Sequence, residues 1–428
     1  MSRSVARRVL PWPLEINSDR LLRRIRELGL IGRNSATGGI TRTGFSATDR
    51  EGRDYLINEA RVAGLVSRVD AAGNILIGMA DGQGQRPTLV MGSHIDTVVN
   101  GGRLDGAYGV LAALEVLQVC AESDFHGSCE LMAVAFANEE GALFPQPFFG
   151  SMVVSGRLAD LPAEPQDHHG HSLREPLKQV GGDLATLDGA VWPAGSVAAY
   201  LELHIEQGPV LEHGGHQIGV VDAITGRCIL TVEIHGTAAH AGTTPMDARH
   251  DAVTAACRVV LAVESLSRDR QVCRVSTVGR IDVHPNSPNT IAGVVRLTAD
   301  LRDTDSKRLS EAETAIRDTM ASLAEQTGTE ITVVSRVRSA PVSTSAELRT
   351  SIRQSAAELG FDHITLPSGA GHDAQMVAGV APIAMIFVPS RAGVSHCPEE
   401  ETDADHLMAG AQVLLRTAIH IAELHETR

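Results

Sequence analysis

The sequence predicts an α/β fold interrupted by a separate α+β insert. Two buried apolar runs, PTLVMGSHID and CELMAVAFANEE, stop abruptly at histidine and carboxylates. Strands of an open α/β sheet end this way where they carry chemistry. From about residue 225 the pattern becomes strand, helix, strand, strand, helix, strand, the order of a ferredoxin-like split βαβ unit. The expected division is a main domain of residues 1–224 and 338–428 and an insert of residues 225–337.

Each element has its own signal. Asn17 to Leu30 has helical spacing with Ser18 or Asp19 as the expected N-cap, and Asp49 to Ala63 reads as another helix. AGNILIGMA and PTLVMGSHID read as strands, Tyr108 to Cys120 as a helix just after GGRLDG, and CELMAVAFANEE as a buried strand. Pro162 to Gly195 is rich in Pro, Gly, His and Asp and reads as a loop with one short helix. Its His168, His169 and His171 are read as a solvated group with no carboxylate or core strand near it. In the insert, CILTVEIHG, CRVSTVGRIDV, GVVRLTADLRD and TEITVVSRV are strands, and Asp247 to Ser267 and Asp305 to Gly328 are helices. A helix in ELRTSIRQSAAELG, a strand in APIAMIFVPS and a helix from about Asp405 to Leu424 complete the chain.

Composition bounds the partners. Of 428 residues, 43% are hydrophobic and 21% charged, which gives an ordinary globular chain with ample core. A net charge of −15 argues against nucleic acid, whose phosphates need clustered Lys and Arg. The six cysteines are scattered with no CxxC pair, so neither a four-cysteine zinc site nor a disulfide framework is expected, and a reducing cytoplasm is. The opening MSRSVARRVLPWPLEIN carries Arg3, Arg7 and Arg8. Its apolar stretch is too short and proline-broken for a signal peptide, which leaves a basic targeting segment as the alternative. No run approaches the ~20 apolar residues of a membrane helix, so no membrane partner is expected.

Five residues of metal-ligand type, each in its own motif, carry the chemistry: His94 in GSHIDT, Asp105 in GGRLDGAYG, Glu140 in ANEEG, His204 in LELHIEQG and His396 in SRAGVSHCPEE. Three imidazoles and two carboxylates, one able to bridge, suit a pair of divalent ions such as Zn²⁺ or Mn²⁺. Glu139 is a spare carboxylate suited to be the general base of a metal-assisted hydrolysis. Neighbours in a strand face opposite ways, so Glu139 and Glu140 should do different jobs. Asp96 stands two residues after His94, where its side chain is expected to accept from the second ring nitrogen of that histidine. Asp105, among glycines, either bridges two cations or caps the following helix, or both. Gln207 is a candidate hydrogen-bond donor to substrate, and Cys397 is not expected to reach the same ion as its neighbour His396.

Together these motifs resemble the M20 metallopeptidase clan, and within it the amidase, hydantoinase and carbamoylase branch. GSHIDTVVNGG, LDGAYGVLA, NEEG, LHIEQGPVLE, HGTAAHAGTTPMDARHDA, PNSPNTI, SGAGHDA and PSRAGVSHCPEE carry the resemblance, from about Asn17 to the end. It implies an aminopeptidase-like catalytic domain holding two divalent ions (Zn, or Mn, Co or Ni) and a lid domain that also forms a homodimer. It implies one ion on His94, Asp105 and His204, the other on Asp105, Glu140 and His396, and Glu139 as the base. His240 in HGTAAHAG matches the histidine lent from the partner's lid to stabilise the oxyanion. Asn289 and Arg302 match residues that grip a substrate carboxylate, and Gly369 and Gly371 match a backbone loop near the substrate. The chain departs from the family at Leu143, where EEGALF replaces a frequent arginine, and specificity is expected to shift there. The expected substrate is a small carboxylate with an N-carbamoyl or amide group. N-carbamoyl-L-amino acids come first, allantoate second and N-acyl amides third. A binding protein that had lost catalysis would lack a ligand or the base, and here none is missing.

Overall fold

The computed structural model describes residues 14–79 and 86–424; the basic residues Arg3, Arg7 and Arg8 lie outside them. The chain forms two compact units. Met1–Asp222, Thr344–Leu366 and His372–Arg428 make the first; Ala223–Ser343 and Pro367–Gly371 make the second. The grouping of Pro367–Gly371 with the second unit has no signal in the sequence, because it is set by contacts far along the chain.

The first unit opens with α1 (Ser18–Leu28), α2 (Ala47–Val62), β1 (Val66–Val69), β2 (Ile75–Gly78) and β3 (Thr88–His94). It continues with α3 (Ala107–Glu122), β4 (Glu130–Phe136), α4 (Phe149–Val154), α5 (Arg174–Gln179), β5 (Val197–Ile205), α6 (Val210–Gly214) and β6 (Ile218–Ile224). The second unit holds β7 (Gly226–His235), β8 (Ala239–His240), α7 (Ala252–Arg268), β9 (Val275–His284), β10 (Thr290–Ile291), β11 (Val294–Asp303), α8 (Ser306–Thr327), β12 (Glu330–Ser339) and β13 (Val342–Ser343). The remainder is α9 (Ala346–Glu358), β14 (His363–Ser368), α10 (Asp373–Val377), β15 (Ile383–Val388) and α11 (Ala404–Leu424).

The first unit is built on a mixed sheet whose order runs β1-β2-β4-β3-β5-β15-β6. Its centre, β4, β3, β5 and β15, is parallel. Its flanks are antiparallel, β2 on β4 and β6 on β15. Parallel strands covered on both faces read as continuous apolar runs, which is why β3, β4 and β15 were legible. Helix α3 is buried nearly all round and packs on β3, β4 and β5; each Leu or Val it buries contributes roughly 1.5–3 kcal/mol. The consequence for function is that the C-terminal ends of the four parallel strands point the same way.

The second unit has sheet order β12-β7-β11-β9, with all pairings antiparallel. Numbered within this four-stranded sheet the order is 4-1-3-2, the ferredoxin-like arrangement. Along β7 alternate residues Cys228, Leu230, Val232 and Ile234 are fully buried and share a core with Ala255 and Val259 of α7 and Ile316 of α8. Asp251 and Asp305 cap these helices, each accepting two backbone amides of the first turn.

Several expectations are corrected. Asn17, not Ser18 or Asp19, caps α1, its side chain accepting from the Arg20 amide. Helix α2 starts earlier than expected because Ser46 caps it. The 162–195 stretch holds a 3₁₀ segment, Leu184–Ala190, besides the one short helix α5. There His171 Nδ1 lies 2.9 Å from the Asp167 carboxylate, so a carboxylate does sit beside the exposed His168, His169 and His171. Elements α4, α6 and α10 went unread because five or six residues are too few to set a helical period. No helix among the described residues is long and apolar enough to cross a membrane.

Candidate metal centre and active site

His94 is the last residue of β3, and His204 lies within the last turn of pleat of β5. Asp105 closes the loop before α3, and Glu139 and Glu140 follow β4 by three and four residues. His396 follows β15 through a short loop in which it takes a left-handed backbone, φ 59°. The first unit thus brings together six ionisable side chains spread over three hundred residues of sequence.

The two buried histidines are set in one tautomer. His94 Nδ1 donates to the Asp96 carbonyl at 2.9 Å, and His204 Nδ1 donates to the Ile205 carbonyl at 2.9 Å. Each Nε2 therefore presents a lone pair. These lone pairs face carboxylate oxygens: His94 Nε2 lies 3.5 Å from Asp105 Oδ1 and 3.6 Å from Glu139 Oε2, and His204 Nε2 lies 3.2 Å from Asp105 Oδ1. On the other oxygen of Asp105, His396 Nε2 lies at 3.1 Å, and 3.5 Å from Glu140 Oε1. With neutral rings this sets lone pair against lone pair, which is repulsive unless a proton or a metal cation lies between; at His204 the Gly106 amide also donates to Nε2, at 3.1 Å. Donor atoms about 2.1 Å from one tetrahedral ion are roughly 3.4 Å apart, the range seen here. Buried Glu140 Oε1 accepts no hydrogen bond, which is a further mark of an oxygen reserved for a cation. The donor set therefore fits two divalent ions, with Asp105 offering one oxygen to each group.

Electrostatics agree. Burial opposes ionisation of Asp105, but the three imidazoles outweigh it and hold its carboxyl well below the usual range. Burial lifts the Glu139 carboxyl well above its usual range; His94 opposes this, and Glu140 and Asp373 add to it. Burial and the nearby Asp105 push Glu140 up to about 7. Cations would relieve this crowding of acids.

The carboxylate of Asp96 does not hold the His94 ring as expected. Its Oδ1 is 3.7 Å from Nδ1, and the backbone carbonyl takes that bond instead. The carboxylate accepts the amides of Glu139 and Glu140, both at 3.1 Å. The strand ends at His94, so the two-residue repeat no longer governs Asp96. Asp105 does not cap α3; the N-cap position is Gly106. Gly106 has φ 63°, and a Cβ there would lie 2.4 Å from the His94 ring. Gln207 is found beside the cluster: its Nε2 donates to Asp105 Oδ2 at 2.6 Å, while its buried Oε1 has no partner.

Sequence reasoning missed the bracing residues. Glu400 accepts the amides of Leu104 and Asp105, and Ser395 Oγ lies 3.0 Å from Asp105 Oδ2 and 2.6 Å from Glu400 Oε2. Buried Arg42 donates through Nε to the Ile95 carbonyl at 2.7 Å. Glu202 accepts from Ser93 Oγ and the Ala374 amide, so its oxygens are taken although His204 and His372 lie near. His372 stands edge-on to His204, ring centroids 4.7 Å apart. Only Glu202 gave a signal, as a carboxylate within the apolar LELHI run.

The second unit carries its own group. His240 and Thr290 are paired in the β8–β10 ladder, and the Ala241 amide donates to the Asn289 carbonyl. Both His240 and Asn289 are exposed. His240 Nδ1 accepts from the Gly242 amide at 3.0 Å, which leaves Nε2 as the donor of the neutral ring. Arg302 binds Asp300 and the Gly369 carbonyl. Gly371 ends the same Pro367–Gly371 segment.

Residues 90–420 match the model of Peptidase family M20/M25/M40. The chain belongs to the M20 peptidase family. Within that family it is 39% identical to an N-carbamoyl-L-amino acid amidohydrolase of Geobacillus stearothermophilus over 95% of this chain and 99% of that one. It is 35% identical to an allantoate amidohydrolase of Bacillus subtilis, covering 89% and 92% of the two chains. Among solved structures, an amidase of the hydantoinase/carbamoylase family from Burkholderia multivorans superposes with a TM-score of 0.87 at 34% identity, covering 96% and 98%. This M20 chain is a hydrolase, and both the mixed α/β architecture and the carbamoylase-branch resemblance hold.

Proposed function

We infer that this M20 chain hydrolyses the ureido C–N bond of a small carboxylate, with N-carbamoyl-L-amino acids as the first substrate class. The observation that carries it is the pair of tautomer-fixed imidazoles aimed, with His396, at one shared carboxylate beside a spare acid, Glu139. His94, Asp105 and His204 would hold one divalent ion, and Asp105, Glu140 and His396 the other. Such ions polarise a carbonyl and acidify bound water.

Glu139 takes the proton of the attacking water, which it is suited to do because burial raises its basicity. It returns that proton to the leaving nitrogen. With a carbamoyl substrate, water adds to the carbamoyl carbon, the C–N bond breaks, and the amino acid leaves as the carbamate falls to carbon dioxide and ammonia. Gln207 borders the cluster, Arg302 and Asn289 hold the carboxylate, and His240 Nε2–H supports the oxyanion, supplied from the partner's lid in a cytoplasmic homodimer. Gly369 and Gly371 form the loop near the substrate.

Allantoate is the second reading, favoured by the allantoate amidohydrolases among the relatives. Leu143, partly buried against the Phe45, Phe144 and Phe149 cluster, gives this region an apolar wall rather than a cation. The test is ammonia release by purified protein loaded with Zn²⁺ or Mn²⁺, assayed with both substrates, and with Glu139→Gln as control. Turnover of N-carbamoyl-L-amino acids, lost in the variant, is expected. Turnover of allantoate alone would move the chain to the second reading. Ammonia from neither substrate would end both.

A further inference from the structure

Arg302 and Asp300 stand two apart on β11 and so share one face of the strand. Asp300 grips the guanidinium along one edge: Nε lies 3.2 and 3.3 Å from its two oxygens, and Nη2 donates at 2.8 Å. On the other side Nη1 donates to the Gly369 carbonyl at 2.9 Å. That carbonyl is itself held by Thr225 Oγ1 at 3.1 Å. A guanidinium has five N–H groups. Three are taken, and one remains on each of Nη1 and Nη2.

We propose that Asp300 is a positioning residue that aims Arg302 at the substrate carboxylate. The inference rests on the reading of Arg302 as the holder of that carboxylate. A half-exposed arginine on a strand would otherwise sample many rotamers, and each binding event would have to arrest it. With the Nε–Nη2 edge fixed by Asp300 and Nη1 tied to Gly369, the fork left over matches a planar carboxylate. The negative charge of Asp300 beside that fork also favours a monoanionic carboxylate over a dianionic phosphate.

The test is a double-mutant cycle on the metal-loaded enzyme with its N-carbamoyl-L-amino acid, reading KM and kcat separately. Asp300→Ala is expected to raise KM about tenfold, the cost of arresting one long side chain, and to leave kcat within about twofold. In an Arg302→Ala background the same change is expected to do nothing further. Asp300→Asn, which keeps one acceptor oxygen, recovers part of the loss. If the two losses simply multiply, or if kcat falls with KM unchanged, Asp300 supports the fold and does not aim Arg302. If Arg302→Ala itself leaves KM unchanged, the clamp reading falls and takes this inference with it. If only Asp300→Ala is silent, this inference alone fails.

Discussion

At the scale of single residues, the site depends on positions where a side chain would intrude as much as on the ligands. Gly106→Ala places a Cβ against the His94 ring on a positive-φ backbone, φ 63° and ψ −50°. The sparsely populated backbone conformation alone costs about 1–3 kcal/mol. The expected result is a lower melting temperature and less than full metal loading, read by calorimetry and by metal analysis. Asp96→Ala frees the Glu139 and Glu140 amides. Metal affinity is expected to fall about 10–100-fold, measured by competition with a chelator, because loss of such outer partners has that size of effect. Unchanged affinity would mean the two glutamates are placed by β4 alone. The proposed ligand His94 was legible because an apolar strand that ends on an ionisable group is costly without a purpose. Glu400 and Arg42 were not: one sits in an acidic PEE run that reads as solvated, and the other acts through backbone carbonyls, which carry no sequence identity.

At the scale of elements, the long helices were readable from their period and β3, β4 and β15 from their apolar runs, whereas the buried strands β5 and β6 and the short helices went unread. The caps were less legible: the helix expected from Asp247 starts at Ala252 behind the Asp251 cap, and at α1 three polar residues in a row, Asn17, Ser18 and Asp19, compete, and backbone geometry chooses the first. Asp305→Ala removes the acceptor of the Lys307 and Arg308 amides. It is expected to cost the second unit about 0.5–2 kcal/mol, seen as a lower urea midpoint with an unchanged slope. An unaltered midpoint would show that packing of α8 against the sheet suffices.

At the scale of the whole molecule, the cluster couples stability to pH in the metal-free protein. Glu140, pushed up to about 7 by burial, favours the fold when protonated, so its contribution is present below about 4.5 and lost as pH rises toward 7. His396, raised to about 9 chiefly by Asp105, contributes below about 6.5 and loses that contribution as pH rises toward 9. Metal binding needs both groups deprotonated. The gap in melting temperature between metal-loaded and chelator-treated protein is therefore expected to widen from about pH 5 to pH 9. A constant gap would show that these groups do not hold the ion.

The sheet order also dictates a sequence of assembly. β15 lies between β5 and β6, with register to both, yet it is made long after either, once the whole second unit has been translated. A nascent chain therefore carries a gap in its central sheet until Val388 has been made, and His396, the last of the proposed ligands, follows later still. Such distant pairing is slow to form. A chain stopped before Ile383 would expose two unsatisfied strand edges in place of a core, a species for chaperones and proteases rather than a smaller enzyme.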